Sequence, residues 1–206
     1  MTPSPPPFPD LSLAKAQLRQ QLTATRARFD SAARAAADGA IARLVLSLPS
    51  WRSSEVVALY AATGGEVDTG AIAAAARREG KSLAWPVIVA GDRKLSFALA
   101  EPEALVPGPF GVRRPPPGAA EVARGEIGLL LVPGIGFDLR CNRLGRGAGY
   151  YDATLAALQG RAERVGLAFD LQVVEALPRE SHDVALDAVV TETRLLRADG
   201  DPAAGR

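Results

Sequence analysis

Apolar positions first recur at helical spacing in Leu11, Leu18, Leu22 and Phe29, which form one stripe at about 100° per residue, with Asp10 placed to cap the helix. Lys15, Arg19 and Arg26 fall about 40–80° from the centre of that stripe, on its edge. Such an edge has two readings. Long stems can cover apolar surface while their charged heads reach water, or a basic row can point into a cleft. A second, alanine-rich helix opens at Ser31 and runs to about Leu48, with Ile41, Leu44 and Leu48 on one face and Pro49 ending it.

Short apolar runs then alternate with helical patterns. Val56–Tyr60 reads as a strand, 69–78 as a helix, and 82–89 as a strand with Pro86 at an end or edge. Leu95–Leu99 is a further strand, and 102–118, with six prolines, reads as a long irregular connection. The continuous apolar run in 126–132 fits a central strand buried on both faces. After a glycine-rich loop come a helix over 150–159, a strand over 165–169 and a short last strand over 188–191. Strand, helix, strand order implies a three-layer α/β fold, an open and mostly parallel sheet flanked by helices in the Rossmann-like manner. No internal repeat or linker divides it, so residues 10–196 are expected to form a single domain between flexible tails at 1–9 and 197–206.

Composition narrows the function. The chain has 206 residues and a formal net charge of +1, so no bulk field favours nucleic acid or an anionic membrane. One cysteine, Cys141, and one histidine, His182, exclude a disulfide scaffold and a Cys/His zinc cluster. A Ser-His-Asp hydrolase lacks its G-x-S-x-G elbow. The proline-rich start has no apolar core, and no apolar run approaches the ~18 residues of a membrane span. A cytoplasmic protein, monomeric or a small homo-oligomer, is expected.

The densest chemistry lies in Asn142-Arg143-Leu144-Gly145-Arg146-Gly147-Ala148-Gly149-Tyr150-Tyr151-Asp152, between a buried strand and a helix. Alternate glycines let successive N–H groups converge on one anion, the helix N-terminus adds partial positive charge, and Arg143 and Arg146 add charge-assisted donors. The loop is neither a P-loop nor a Rossmann fingerprint, because no Lys-Ser/Thr follows the glycines and the third fingerprint glycine is missing. A ligand-free turn is the plain alternative. Asp152 could serve the helix N-terminus or hold Mg²⁺ beside substrate phosphates, with Asp183 or Asp187 as a second carboxylate. His182 reads as a surface loop residue. Glu66 follows the first strand, at the carboxyl edge where such sheets place ligands, while Asp68 or Thr69 caps the next helix. Tyr60, Trp85 and Phe110 could stack on a flat ligand or pack in the core.

In order and approximate spacing, Lys15-x-x-Leu18-Arg19, Gly65-Glu66-Val67-Asp68-Thr69, Pro133-Gly134-Ile135-Gly136-Phe137-Asp138, the 142–152 segment and His182-Asp183 with Leu186-Asp187 resemble the 5-formyltetrahydrofolate cyclo-ligase family. The resemblance spans about Lys15 to Glu192. It implies an ATP- and Mg²⁺-dependent enzyme acting on a reduced folate, 5-formyltetrahydrofolate, to give 5,10-methenyltetrahydrofolate, ADP and phosphate through phosphorylation of the formyl oxygen. It further implies ATP contacts from Lys15, Arg19, Arg143, Leu144, Gly145, Arg146, Gly147, Ala148, Gly149, Tyr150 and Tyr151, with Arg143 and Tyr151 catalytic. Glu66, Phe110, Gly147, Gly149 and Tyr150 would meet the folate, and Asp152 and Asp183 the metal. The site would lie between the first helix, the glycine-rich loop and the Asp183 loop. Three departures stand out: Cys141 where members usually have Gly, Ala148 where they have Gly or Lys, and Arg114 where bacterial members commonly have Glu before a proline. Two other readings remain, a paralogue acting on another formamide or amide, and a nucleotide-binding module without turnover.

Overall fold

The structure is a computed structural model that describes residues 10–89, 91, 94–158, 160–180 and 182–198. It opens with α1 (Leu11–Ala27), α2 (Ser31–Ser47) and α3 (Pro49–Ser53), followed by β1 (Val56–Ala58), α4 (Gly70–Arg78), β2 (Ser82–Ile88) and β3 (Leu95–Leu99). The proline-rich connection holds two two-residue strands, β4 (Val106–Pro107) and β5 (Arg113–Arg114), and a third, β6 (Glu121–Val122), follows it. The second half contains β7 (Ile127–Val132), β8 (Gly136–Asp138), β9 (Arg143–Leu144), α5 (Tyr150–Leu158), β10 (Glu163–Leu167), β11 (Val173–Val174), β12 (Ala188–Val190) and β13 (Leu195–Arg197).

Local chemistry explains most boundaries. Asp10 Oδ1 accepts the Ser12 and Leu13 N–H groups at 3.0 and 3.2 Å, and Asp30 Oδ2 accepts those of Ala32 and Ala33 at 3.0 and 2.9 Å, so each helix has its first-turn donors satisfied. Pro49 ends α2 as expected and also starts α3, where its fixed φ and missing N–H cost nothing. Asp68 is the side chain that caps α4, accepting from Gly70 N at 2.9 Å; the Thr69 hydroxyl instead donates to the Tyr60 carbonyl. Pro86 does not end β2. It lies beyond the last residue of β1, where β2 pairs only with β3, so its missing donor breaks no ladder bond.

Among the described residues the main sheet has the order β13-β12-β10-β7-β1-β2-β3-β6. Strands β12, β10, β7, β1 and β2 are mutually parallel, and β13 and the β3–β6 pair run antiparallel at the two edges. β13 was not foreseen and carries Arg197 into the sheet, inside the expected tail; 1–9 and 199–206 lie outside the described residues. Helices α2, α3 and α4 cover one face through Ile41, Val45, Trp51 and Ile72. Leu155 and Leu158 of α5 cover the other, against Leu130, Val132 and Phe137. This is the three-layer α/β architecture expected.

The chain leaves β1 through α4 toward β2, and leaves β7 toward β10 on the opposite side. Adjacent strands that send the chain apart open a crevice at their carboxyl ends, the position where such sheets bind ligands. A small sheet, β11-β8-β9, stands beside that crevice. Helix α1 docks on it through Leu18 and Leu22, which meet Ile135, Leu144, Val174 and Leu177. Gly136 permits the approach, because a β-carbon there would collide with Leu22 Cδ1.

Candidate active site

A cavity of about 440 Å³ opens at the carboxyl ends of β1, β2 and β7. Its apolar wall includes Pro86, Ile88, Leu95 and Val112, and its polar wall is the glycine-rich loop from Arg143 to Asp152. At the floor, Gly64 and Gly65 take consecutive positive φ of 58° and 78°, a turn that glycine enters with least strain. That turn brings the Glu66 carboxylate back over it: Oε2 accepts from Thr63 N at 3.0 Å, and Oε1 accepts from Arg146 Nη2 at 2.8 Å. The Glu66 side chain is only 8% exposed, whereas that of Arg146 is 50% exposed. A ligand offering N–H groups to Oε1 therefore needs to displace only a solvated cation.

The loop is built on Asp138. Its buried carboxylate accepts from Arg140 N, Asn142 N, Asn142 Nδ2 and Leu177 N at 2.8–3.1 Å, which fixes the β8–β9 hairpin and aims Arg143 inward. Cys141 takes φ 60° in this hairpin, and burial pushes its thiol up to about 12, so it is an inert core group. The Arg143 side chain, 5% exposed, donates to Asp152 Oδ1 at 3.0 Å and lies 5.3 Å above the Tyr151 ring. Its Nε is enclosed with no hydrogen-bond partner among the described residues, an unused donor beside the cavity. Gly145 must be small because the Arg143 guanidinium occupies the space a β-carbon would take. Gly147 and Gly149 hold positive φ of 97° and 75° before α5 begins at Tyr150. Thr154 fixes that helix by accepting from Leu95 N at 2.8 Å.

Burial raises the Tyr151 phenol, so it stays protonated and can only donate or stack. Arg19 reaches the loop from α1, donating Nε to the Gly145 carbonyl at 2.9 Å and lying beside Gly147. Lys15 is buried rather than snorkelling, with Nζ 2.6 Å from Glu180 Oε2 and 2.7 Å from Asp183 Oδ2. Burial opposes its charge, but the bonds to Asp183 and Glu180 prevail and its pKa is raised. Burial likewise opposes the Asp183 carboxylate, and the Glu180 N–H together with Lys15 lowers its pKa. Arg26 is buried too, with its pKa lowered by burial, and its Nη1 approaches the Gly134 carbonyl at 3.4 Å.

The structure thus places Glu66, Phe110, Arg143, Gly145, Arg146, Gly147, Ala148, Gly149, Tyr150, Tyr151 and Asp152 around one cavity. Arg19 touches the same loop from behind. Lys15 and Asp183 form their own pair, and Leu144 turns its side chain into the small core under α1. The expected carboxylate pair is divided: Asp152 turns to Arg143, and Asp183 shares a cluster with Glu180 and His182, whose ligand atoms lie within 4.8 Å of one another. Asp187 is committed to Arg164, bidentate at 2.9 and 2.6 Å. Trp85 is a core residue that donates Nε1 to the Ala100 carbonyl. Tyr60 lines the cavity with its hydroxyl tied to the Val67 carbonyl. Phe110 stands at the cavity rim, 80% exposed with φ 58°. His182 is exposed, as expected.

Thr63 and Glu180 escaped the sequence reading. Thr63 had no motif of its own. A buried lysine on α1 calls for carboxylates, but nothing in the spacing points 165 residues ahead to Glu180. Arg26, read with Lys15 as an edge residue of the α1 stripe, is buried: Lys15, Leu22 and Arg26, at i, i+7 and i+11, are the buried positions of α1.

An open α/β protein whose glycine-rich, arginine-bearing loop faces a carboxylate-floored cavity at a strand switch point is the class that fold and site define. The model for the 5-formyltetrahydrofolate cyclo-ligase family matches residues 12–192, and the chain belongs to that family. It is 33% identical over 187 residues to the 5-formyltetrahydrofolate cyclo-ligase of Mycolicibacterium smegmatis, covering 88% of this chain and 95% of the relative. With the Haemophilus influenzae enzyme of the same name, identity is 31% over 174 residues, covering 82% and 93%. The solved structure of Aquifex aeolicus 5,10-methenyltetrahydrofolate synthetase superposes with a TM-score of 0.79 at 30% identity, covering 93% of this chain and 96% of that one. No described helix is long and apolar enough to cross a membrane.

Proposed function

We propose that this protein closes 5-formyltetrahydrofolate to 5,10-methenyltetrahydrofolate with consumption of MgATP. One observation carries the reading: the glycine-rich loop and the buried Glu66 carboxylate face the same apolar cavity, so a phosphate held by the loop meets a flat ligand held by Glu66. Glu66 accepts the pteridine's ring and amino N–H groups in place of Arg146, a charge-assisted pairing in a nearly dry recess. Ile88, Leu95 and Phe110 provide apolar surface for the ring system. Release from Glu66 turns Arg146 toward the phosphates, beside Arg143, Arg19 and the N–H groups of 145–149.

A formamide oxygen is a poor leaving group. In the proposed reaction that oxygen attacks the γ-phosphorus and ADP departs, leaving a phosphorylated iminium carbon. N10 adds to that carbon and gives up its proton, and phosphate then leaves with the C–O electron pair. Such transfer depends on alignment and charge neutralisation, and the protein supplies both through fixed guanidinium and N–H donors. Arg143 and Tyr151 act at the transferring group, Arg143 through its unused Nε and Tyr151 by holding the guanidinium plane.

The residue that fits Mg²⁺ is Asp152, a carboxylate beside the glycine-rich loop whose partner Arg143 can turn to phosphate oxygens when a metal takes its place; Asp183, the second expected ligand, is held by Lys15 in its own cluster with Glu180 and His182, apart from the cavity lining. Bound there, the ion would neutralise phosphate charge. Incubation with 5-formyltetrahydrofolate and MgATP, with each omitted in turn, tests the proposal. A rise in the near-ultraviolet absorbance of the methenyl product matched by ADP release is expected, and folded protein without such a rise would refute it.

A further inference from the structure

Two arginines of the cavity wall have no part in that reaction: Arg113 and Arg114, contributed by β5 of the β4–β5 hairpin. The cavity's other arginines are neutralised, Arg143 by Asp152 and Arg146 by Glu66. Arg113 donates Nη2 to the Leu105 carbonyl at 2.5 Å. The Arg114 side chain has neither an ion pair nor a hydrogen bond to any described residue, and its Nε is enclosed without a partner. Its stem is seated, because a β-carbon on Gly108 would stand 3.1 Å from Arg114 Cγ and Cδ. Behind it, Glu121 shares a small hollow with Arg114 without forming an ion pair. Around it the cavity lining is apolar, with Pro86, Ile88, Pro109 and Val112.

An enclosed guanidinium donor on an apolar wall is a costly arrangement unless an acceptor completes it. The acceptor that a guanidinium edge fits best is a carboxylate, gripped by two parallel N–H bonds. Phosphate has its own receptor in the glycine-rich loop. We infer that Arg114, with Arg113 beside it, forms a carboxylate subsite that takes the anionic glutamyl tail of the reduced folate while the pteridine lies on Glu66. The inference rests on the folate reading above.

The test compares three ligands on the full chain: 5-formyltetrahydrofolate, its triglutamate, and a 5-formyltetrahydropterin without the aminobenzoyl-glutamate. Affinities come from calorimetry without nucleotide, and kcat and KM from turnover. For Arg114→Gln, KM and Kd for both tailed ligands rise roughly tenfold, with kcat within about twofold of wild type, and both values for the truncated pterin stay unchanged. Arg114→Lys keeps the charge and recovers part of the loss. Equal loss for truncated and tailed ligands would mean that Arg114 only shapes the hairpin, and would overturn the subsite. A shift confined to the KM of MgATP would assign the guanidinium to phosphate and also overturn it. Wild type that binds tailed and truncated ligands equally refutes the subsite alone, whereas wild type that binds none of them refutes the folate reading and the subsite with it. Should Arg114→Gln melt early, Arg113→Gln with the same ligand pair, together with the salt dependence of the wild-type affinity ratio, decides the matter: a tail preference unaffected by either refutes the subsite.

Discussion

Two ion-pair systems flank the glycine-rich loop, and they bury opposite partners. On the α1 side the cation is inside: the Lys15 side chain is 8% exposed while Glu180 is 41% exposed. On the cavity side the anion is inside: Glu66 is 8% exposed and Arg146 is half in water. A buried cation gripped by two carboxylates is a brace, because withdrawing it strands a charge. A buried carboxylate covered by a solvated arginine is a receptor, because its cover leaves at little cost. The same chemistry therefore ties α1 to the fold on one side and waits for a ligand on the other.

Glu66→Gln separates the two systems most sharply. It preserves shape but removes the charge that receives the ligand, so kcat/KM for the folate falls about 100-fold, on the order of 3 kcal/mol, with little change in Tm. An unchanged kcat/KM would deny that Glu66 is the receptor. Next in size is Asp152→Asn, which leaves Arg143 without its carboxylate and removes one candidate metal ligand. Turnover drops by roughly 10–100-fold and the Mg²⁺ concentration needed for half-activity rises, as a metal titration would show. If activity survives at the wild-type Mg²⁺ requirement, the metal assignment of Asp152 fails.

Lys15→Met tests the brace and should lower stability by about 2 kcal/mol in denaturant unfolding. Its pH dependence has a definite sign. The Lys15 pKa is raised in the folded state, so its contribution is complete below the ordinary value of 10.5 and is lost as pH rises through the raised one. The Asp183 pKa is lowered, so its contribution is complete above the ordinary value of 3.8 and is lost as pH falls through the lowered one. Wild type should lose stability in both directions, and Lys15→Met should flatten the alkaline limb. The smallest effect belongs to Arg146→Ala, which uncovers Glu66: stability changes by less than about 1 kcal/mol, as exposed pairs do. A larger loss would make Arg146 a brace as well and dissolve the contrast.

The sequence by itself determined the layers and the loop. The apolar run 127–132 reads as a two-faced central strand, and in the structure Leu129 and Leu131 enter one core while Leu130 and Val132 enter the other. Strand and helix alternation established the parallel centre of the sheet, because local periodicity is what backbone pairing selects. The segment 142–152 announced itself because its glycines, arginines and following helix act within a few residues of one another. Only the tertiary structure decided which charges meet. Lys15 finds Glu180 and Asp183, and Arg146 finds Thr63 and Glu66 some 80 residues back. Nor could spacing show that Asp152 and Asp183 have separate cations, that Asp187 belongs to Arg164, or that Trp85 lies in the core rather than the cavity. Periodicity fixes the face a residue occupies on its own element; the partner of a buried charge depends on how elements pack, and that is settled only when the whole chain has closed around it.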